Sequence, residues 1–115
     1  MEKQDVRIGI YLQDEDGIFT VTESFFTLFD LNLHNSQPIR LTDEMVKNLG
    51  FTESFNSLYT HTDWCFALIK KKGLDSYFLV TSSYVFYIIE VNYVHELQNL
   101  FYSTAKKHLK FIDNP

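Results

Sequence analysis

The chain has 115 residues, a net charge of −5 and 45% hydrophobic residues, which is typical of one globular domain. Its single cysteine, Cys65, excludes an internal disulfide and a zinc centre made of thiolates. No apolar stretch approaches the roughly 20 residues that cross a bilayer, and the charged start lacks the features of a signal peptide. We therefore expect a single domain over residues 1–115, in a reducing cytoplasm and without contact to a membrane.

The first third of the chain is predicted to contain a β-hairpin. Residues 6–12 and 18–22 are rich in β-branched and aromatic residues, and the acidic stretch 14–17 between them is a turn that ends in glycine. The stretch 25–33 is ambiguous, because its apolar residues fit both a helix face and a strand face. We predict a strand there, since β-forming residues surround it.

A short helix is predicted next. Residues 38–40 read as extended, and Thr42 follows as a candidate N-cap. Asp43 and Glu44 lie in the first turn, where negative charge is favoured by the helix dipole. Gly50 is the expected stop, because glycine adopts the left-handed conformation without strain.

The second half is predicted to form an antiparallel β-meander and a long helix. The strands are 64–70, 77–81 and 84–91, and the third is apolar on both faces, so it is expected to be covered on both sides. Asn92 is the candidate N-cap of a helix that runs to about His108 and carries an apolar stripe. The predicted fold class is α+β: an antiparallel β-sheet, made of the C-terminal meander plus the N-terminal hairpin, with a packed C-terminal helix and a short middle helix.

The C-terminal motif carries a family resemblance. Residues 93–102, YVHELQNLFY, resemble the "YVHQLQNLYFALTG" ending of a family of small phage and prophage proteins of Bacteroides-group bacteria. Residues 38–44 with 49–51 are similar to the family's "PIPLTEEWLLKFGF", and residues 7–9 with 21–22 are similar to its "RIGN … VT" opening. The resemblance implies that the chain originates from a mobile element that infects a bacterium.

The chain also departs from that family. Glu96 stands where the family usually has glutamine, residues 103–106 replace the usual "ALTG", and residues 54–84 have no counterpart. The family brings no known activity, cofactor or site residues, so the resemblance implies none for this chain.

His61, Asp63 and Cys65 occupy alternate positions. On a strand all three side chains would share one face and could converge on a metal. The simpler interpretation is that Cys65 is a small core residue and that the other two lie in a loop. No phosphate-binding loop, nucleophile elbow or zinc-protease motif is present. We therefore expect no enzyme, no cofactor and no metal.

Three polar residues of the last helix have two possible roles. His95, Gln98 and Asn99 are expected to satisfy buried backbone groups and so to fix the helix to the sheet. The alternative is that His95 acts as a catalytic base, which requires a partner within hydrogen-bond reach that the sequence does not identify.

Two charged clusters are candidate binding surfaces. Asp14, Glu15 and Asp16 could offer carboxylates to a basic partner, and the aromatic ring of Tyr102 is a further candidate contact. The second surface is a lysine patch that could contact phosphates: Lys70, Lys71, Lys72, Lys106, Lys107 and Lys110. Both clusters also fit ordinary solvated turns and a charge-matched helix end.

The first functional prediction is a phage-derived, non-enzymatic binding protein in the cytoplasm of the bacterial host. It would inhibit a host macromolecular machine, such as a CRISPR-type defence nuclease, by stoichiometric contact with a protein or ribonucleoprotein. The alternative is a phage accessory protein that binds nucleic acid through the lysine patch. A third possibility is a metal-dependent enzyme built on His61, Asp63 and Cys65.

Overall fold

A computed structural model describes residues 6–54, 57–70, 73, 76–81 and 87–112 of the chain. It contains a five-stranded antiparallel sheet, a separate two-stranded hairpin, a C-terminal helix and shorter helical segments. This architecture confirms the predicted α+β fold class. The hairpin forms a sheet of its own and does not extend the larger sheet.

The predicted N-terminal hairpin is confirmed, with shorter strands than expected. Strand β1 is Tyr11–Asp14 and strand β2 is Gly17–Thr20, paired antiparallel. The carboxylate of Asp14 accepts a hydrogen bond from the backbone N–H of Asp16 at 2.9 Å, which closes the turn. Gly17 follows with a φ of +120°, a conformation that a side chain would strain.

The prediction of a strand over residues 25–33 is wrong. Glu23–Leu28 forms a 3₁₀ helix and Phe29–His34 forms helix α1. The residues that pack on the hairpin are four apart, which is helical spacing: Phe25, Phe29 and Leu33. They complete a small core whose other members come from the hairpin and its flanks: Val6, Ile10, Leu12, Val21 and Phe19. Packing against these residues therefore selects a helix rather than a strand over residues 25–33.

The short middle helix is confirmed as α2, Asp43–Asn48. The side chain of Thr42 accepts a hydrogen bond from the backbone N–H of Met45 at 3.3 Å, as expected for an N-cap. Gly50 follows the helix with a φ of +96°. Val46 is the buried residue that attaches this helix to the main core.

The large sheet is a meander of five strands in sequence order. They are β3 Thr52–Ser54, β4 Leu58–Thr60, β5 Ala67–Lys70, β6 Tyr77–Val80 and β7 Tyr87–Val91. The predicted strand 64–70 begins late, because residues 61–66 form a turn and an irregular segment. The sequence analysis missed β3 and β4, which add two strands before that turn.

The last strand is only partly covered, which corrects the expectation for residues 84–91. Ile89 is 48% exposed, so the face of β7 that carries it is not fully covered. Residues 84–86 and the side chains of residues 87 and 88 lie outside the described part of the chain.

The C-terminal helix α3 is Val94–Ala105. Its N-cap is Tyr93 rather than the predicted Asn92. The Glu96 carboxylate accepts hydrogen bonds from the backbone N–H groups of Asn92 and Tyr93, each at 3.0 Å. It also places negative charge at the start of the helix, where the helix dipole favours it. Lys106 ends the helix in the left-handed conformation, earlier than predicted.

The main core lies between the large sheet, α2, α3 and the segment that follows α3. Its fully buried members include Val46, Leu49, Tyr59, Leu68, Tyr77, Val91, Val94, Leu97 and Phe101. Leu109 and Phe111, which follow α3, are also buried there. The segment of residues 109–111, which follows α3, therefore contributes to the core.

The Gln98 side chain, only 1% exposed, connects three segments. Its Oε1 accepts the backbone N–H of Tyr11 at 2.7 Å, and its Nε2 donates to the carbonyls of Gly9 at 3.2 Å and Leu109 at 2.9 Å. The prediction that this residue satisfies buried backbone groups is confirmed. The segments that it fixes to α3 are the hairpin and the chain after the helix, not the large sheet.

We expect Gln98→Leu to lower the free energy of unfolding by about 3 kcal/mol, because it leaves three backbone groups without a partner. The two side chains have similar volumes, so the loss reports hydrogen bonds rather than a cavity. Urea unfolding followed by circular dichroism measures it.

Gln37→Leu is the matched control, because the Gln37 side chain is exposed. We expect it to change stability by less than about 0.5 kcal/mol. Equal stability of the two variants would contradict the role assigned to Gln98.

Candidate functional site

The acidic turn lies at the tip of the hairpin. Asp14, Glu15 and Asp16 are exposed and adjacent, as predicted. Asp14 and Glu15, but not Asp16, border a cleft of about 770 Å³ between the turn and α1. Every residue that lines it is polar or charged: Gln13, Asp14, Glu15, Asn32, His34, Asn35 and Gln37. The acidic turn therefore adjoins a concave surface rather than projecting alone into solvent.

The walls of this polar cleft are fixed to each other. Gln13 and Gln37 exchange backbone hydrogen bonds of 3.0 and 2.8 Å, and the Gln13 side chain donates to the carbonyl of Pro38 at 3.1 Å. The Asn32 amide donates to the carbonyl of Phe25 at 2.7 Å. Carboxylate and amide oxygens in such a cleft can accept hydrogen bonds from an ammonium or guanidinium group.

Tyr102 lies on α3, in a different groove. Its ring is 39% exposed, and the Arg7 guanidinium stands 4.4 Å from the ring centroid. The groove has a volume of about 470 Å³ and is lined by Val6, Arg7, Ile8, Phe26, Tyr102 and His108. In the sequence Tyr102 and His108 are more than 70 residues from the other residues that line the groove, so no local pattern could have predicted it.

Arg7 is held firmly against α3. Its Nε donates to Asn99 Oδ1 at 2.7 Å and its Nη2 donates to the carbonyl of Gln98 at 3.0 Å. Its Nη1 lies 3.2 Å from His108 Nδ1, which must accept because a guanidinium has no acceptor. Burial lowers the pKa of Arg7, although an arginine stays charged at neutral pH. These contacts hold the guanidinium of Arg7 over the ring of Tyr102.

The three acidic residues lie together in the structure, whereas Tyr102 lies in a separate groove. The groove of Tyr102 is built from residues 6–8, before β1, whereas the acidic turn follows β1. The four residues of β1 span about 10 Å at an ordinary strand rise. Both surfaces nevertheless include residues of one part of the molecule, which we call the hairpin lobe and define as residues 6–36, although Tyr102 and His108 lie outside it.

Phe26, Leu28 and Leu31 are exposed residues that the sequence analysis missed. A strand over 25–33 would have placed some of them in a sheet. With a helical assignment, Leu28 and Leu31, which are three residues apart, would have been recognised as apolar residues away from the small core.

The lysine patch is divided. Lys70 Nζ lies 3.4 Å from an Asp43 carboxylate oxygen, and Lys107 Nζ lies 3.5 Å from an Asp63 carboxylate oxygen. Lys106 is exposed, as is Lys110, whereas Lys71 and Lys72 lie outside the described residues. Two of the four described lysines are therefore already paired with carboxylates.

His61, Asp63 and Cys65 do not share a strand face. They lie before β5, and His61 Nδ1 accepts the backbone N–H of Asp63 at 3.0 Å. Burial lowers the pKa of His61, whose ring packs against Phe51 and Phe101. Cys65 is exposed, so it is not the core residue that we expected.

Among residues 6–54, 57–70, 73, 76–81 and 87–112, no group of three or more His, Cys, Asp or Glu side chains is placed to hold a metal ion. The less favoured alternative, in which His61, Asp63 and Cys65 converge on a metal, is therefore wrong for the described residues.

Asp43 is the centre of a polar cluster between α2 and the sheet. The Tyr77 hydroxyl donates to its carboxylate, and this hydrogen bond is the main reason that the pKa of Asp43 is lowered. Burial raises the pKa of Tyr77 and also that of Tyr59, whose hydroxyl donates to Glu53 at 3.1 Å. Lys70 is thus part of a structural cluster.

We expect Asp43→Asn to make the protein less sensitive to acid. A carboxylate with a lowered pKa stabilises the fold above its ordinary value of 3.8, and this contribution is lost as the pH falls below that value through the folded-state pKa. The wild type should therefore lose more stability than the variant between pH 6 and pH 2, measured by urea midpoints.

Glu44→Gln removes a neighbouring exposed carboxylate and serves as the control. It should keep the acid sensitivity of the wild type. The same pH dependence in the wild type and in Asp43→Asn would contradict the role of the Tyr77 hydrogen bond.

No helix within the described ranges is both long and apolar enough to cross a bilayer. No protein-family model matches the chain, no curated protein matches it, and no solved structure matches it. The resemblance of residues 93–102 to phage and prophage proteins therefore stays a prediction.

Proposed function

We propose that this chain is a phage-derived, non-enzymatic binding protein that acts in the cytoplasm of a bacterial host. It inhibits a host macromolecular machine, such as a CRISPR-type defence nuclease, by stoichiometric contact with a protein or ribonucleoprotein. The resemblance of residues 93–102 supports the origin. The main support for the binding mode is the acidic turn beside the polar cleft of the hairpin lobe.

The charge of the hairpin lobe favours a basic partner. The lobe contains five carboxylates and only one arginine or lysine, Arg7, so its net charge is 1 − 5 = −4. The guanidinium of Arg7 is occupied by its contacts with α3. A surface of this charge attracts a basic surface and repels phosphates.

The rim of the cleft supplies carboxylate oxygens, which can accept hydrogen bonds from a cationic partner. Asp14 and Glu15 are exposed at its rim, beside the side chains of Asn35 and Gln37. Hydrogen bonds from arginine or lysine to carboxylates are among the strongest in proteins. A nucleic-acid-binding protein presents such cations where it binds phosphates, so a carboxylate surface that occupies them would exclude the nucleic acid.

We expect Glu15→Lys with Asp16→Lys to weaken binding to the host partner at least tenfold, because attraction becomes repulsion. Asp14 is left unchanged, since its carboxylate closes the hairpin turn. The tagged protein would be captured from nuclease-treated host lysate to identify the partner, and the affinity of the purified pair would then be measured by calorimetry.

Glu44→Lys with Glu90→Lys is the matched control. It changes the net charge equally at two exposed positions outside the hairpin lobe. If both double variants bind alike, the acidic turn is not the contact surface.

The nucleic-acid alternative is tested on the same protein. Lys106→Gln with Lys110→Gln removes two of the three exposed lysines that follow α3 and leaves Lys107, which pairs with Asp63. A gel shift with RNA or DNA at low salt that disappears in this variant would assign function to the lysine patch. We expect no shift for either protein, because Lys70 and Lys107 are paired with carboxylates.

A further inference from the structure

Exposed apolar side chains are concentrated on the helical segment of the hairpin lobe. Phe26 is 39% exposed, Leu28 is 59% exposed and Leu31 is 55% exposed. We call these three residues the apolar strip. Helix α1, to which Leu31 belongs, has no buried residue at all.

The helical segment has apolar residues on two sides, and only one of these sides packs in the small core. Phe25, Phe29 and Leu33 pack against the hairpin, while Leu28 and Leu31 remain exposed. A helix that is hydrophobic all round is normally buried all round. An exposed apolar patch with charged residues nearby is typical of a protein interaction site.

The strip continues into the groove of Tyr102. The ring of Phe26 stacks on Phe29 at 5.1 Å and also forms a wall of this groove, together with Ile8. The ring of Tyr102 packs against the guanidinium of Arg7. Aromatic rings that are already ordered lose little conformational entropy when a partner binds.

The charges around the strip identify the occupant. Glu23 and Asp30 lie on the same segment and are exposed, and the acidic turn is part of the same lobe. A second copy of this chain would bring the same net charge of 1 − 5 = −4 to the interface and would be repelled. The occupant is therefore a partner with apolar and cationic side chains.

The backbone of the strip favours a helical occupant. The 3₁₀ helix and α1 are helical rather than extended, so this segment offers side-chain contacts rather than a free strand edge. An extended segment lying here would leave its own backbone groups unpaired, whereas a helix pairs them itself.

We infer that the apolar strip and the adjoining groove of Tyr102 receive a basic amphipathic helix of the partner protein. Its apolar face lies on Phe26, Leu28 and Leu31, and its lysines or arginines face the carboxylates of the hairpin lobe. This assignment rests on the proposed function and specifies which part of a host protein is bound.

The test is a titration of the ¹⁵N-labelled protein with two synthetic helical peptides of the same leucine pattern. One peptide has lysine and the other has glutamate at all polar positions. We expect saturable shifts of the amide signals of residues 26–31 and Ile8 with the lysine peptide, and none with the glutamate peptide. Equal binding of both peptides, or shifts confined to other residues, would overturn the inference.

Leu31→Ser is the variant that probes the strip, and Ile112→Ser is its control. Both residues are more than half exposed, so neither change is expected to disturb folding. We expect Leu31→Ser to bind the lysine peptide at least tenfold more weakly and Ile112→Ser to bind it unchanged. An unaltered affinity of Leu31→Ser would contradict the inference.

Two further measurements separate this inference from the proposed function. Sedimentation of the free protein at high concentration should show a monomer; a dimer that Leu31→Ser dissociates would assign the strip to a second copy and overturn the inference. If the captured host protein binds Leu31→Ser normally but loses affinity for the variant with Glu15→Lys and Asp16→Lys, the proposed function stands and the helix site does not.

Discussion

The arrangement of the hairpin lobe depends on one buried amide, that of Gln98. A polar side chain excluded from water destabilises a fold unless its hydrogen bonds are made, and Gln98 makes them with β1, with Gly9 and with the chain after α3. The same stretch of α3 holds Arg7 through the backbone of Gln98 and the side chain of Asn99. The position of the groove beside Tyr102 follows from these contacts.

The residues that stabilise the main core and the candidate binding surfaces lie in different parts of the molecule. The main core contains most of the large buried side chains, and the polar cluster around Asp43 links α2 to the sheet. Among the described residues, the small core has five buried members, so the hairpin lobe has less interior relative to its surface. The acidic turn and the apolar strip lie on this lobe, and none of their side chains belongs to the main core, to which the lobe contributes Tyr11.

The elements that depend on short-range interactions were predicted correctly from local sequence patterns. The N-cap Thr42 and the stop at Gly50 defined α2, and the turn before Gly17 defined the hairpin. The stretch 25–33 could not be assigned from its own pattern, because contacts with distant residues of the hairpin select the helix. Strands β3 and β4 were missed because they are short, and the Tyr102 groove because it joins residues at opposite ends of the chain.

The hydrogen bonds of Gln98 also have a consequence for biosynthesis. The amide of Tyr11 is joined to a side chain 87 residues later, and Gly9 to one 89 residues later. On a ribosome the hairpin emerges early, but the glutamine that anchors it emerges only after the whole meander. Contacts of such high sequence separation form slowly, since they require closure of a long loop. The acidic turn and the apolar strip therefore acquire their final placement last, although they are translated first.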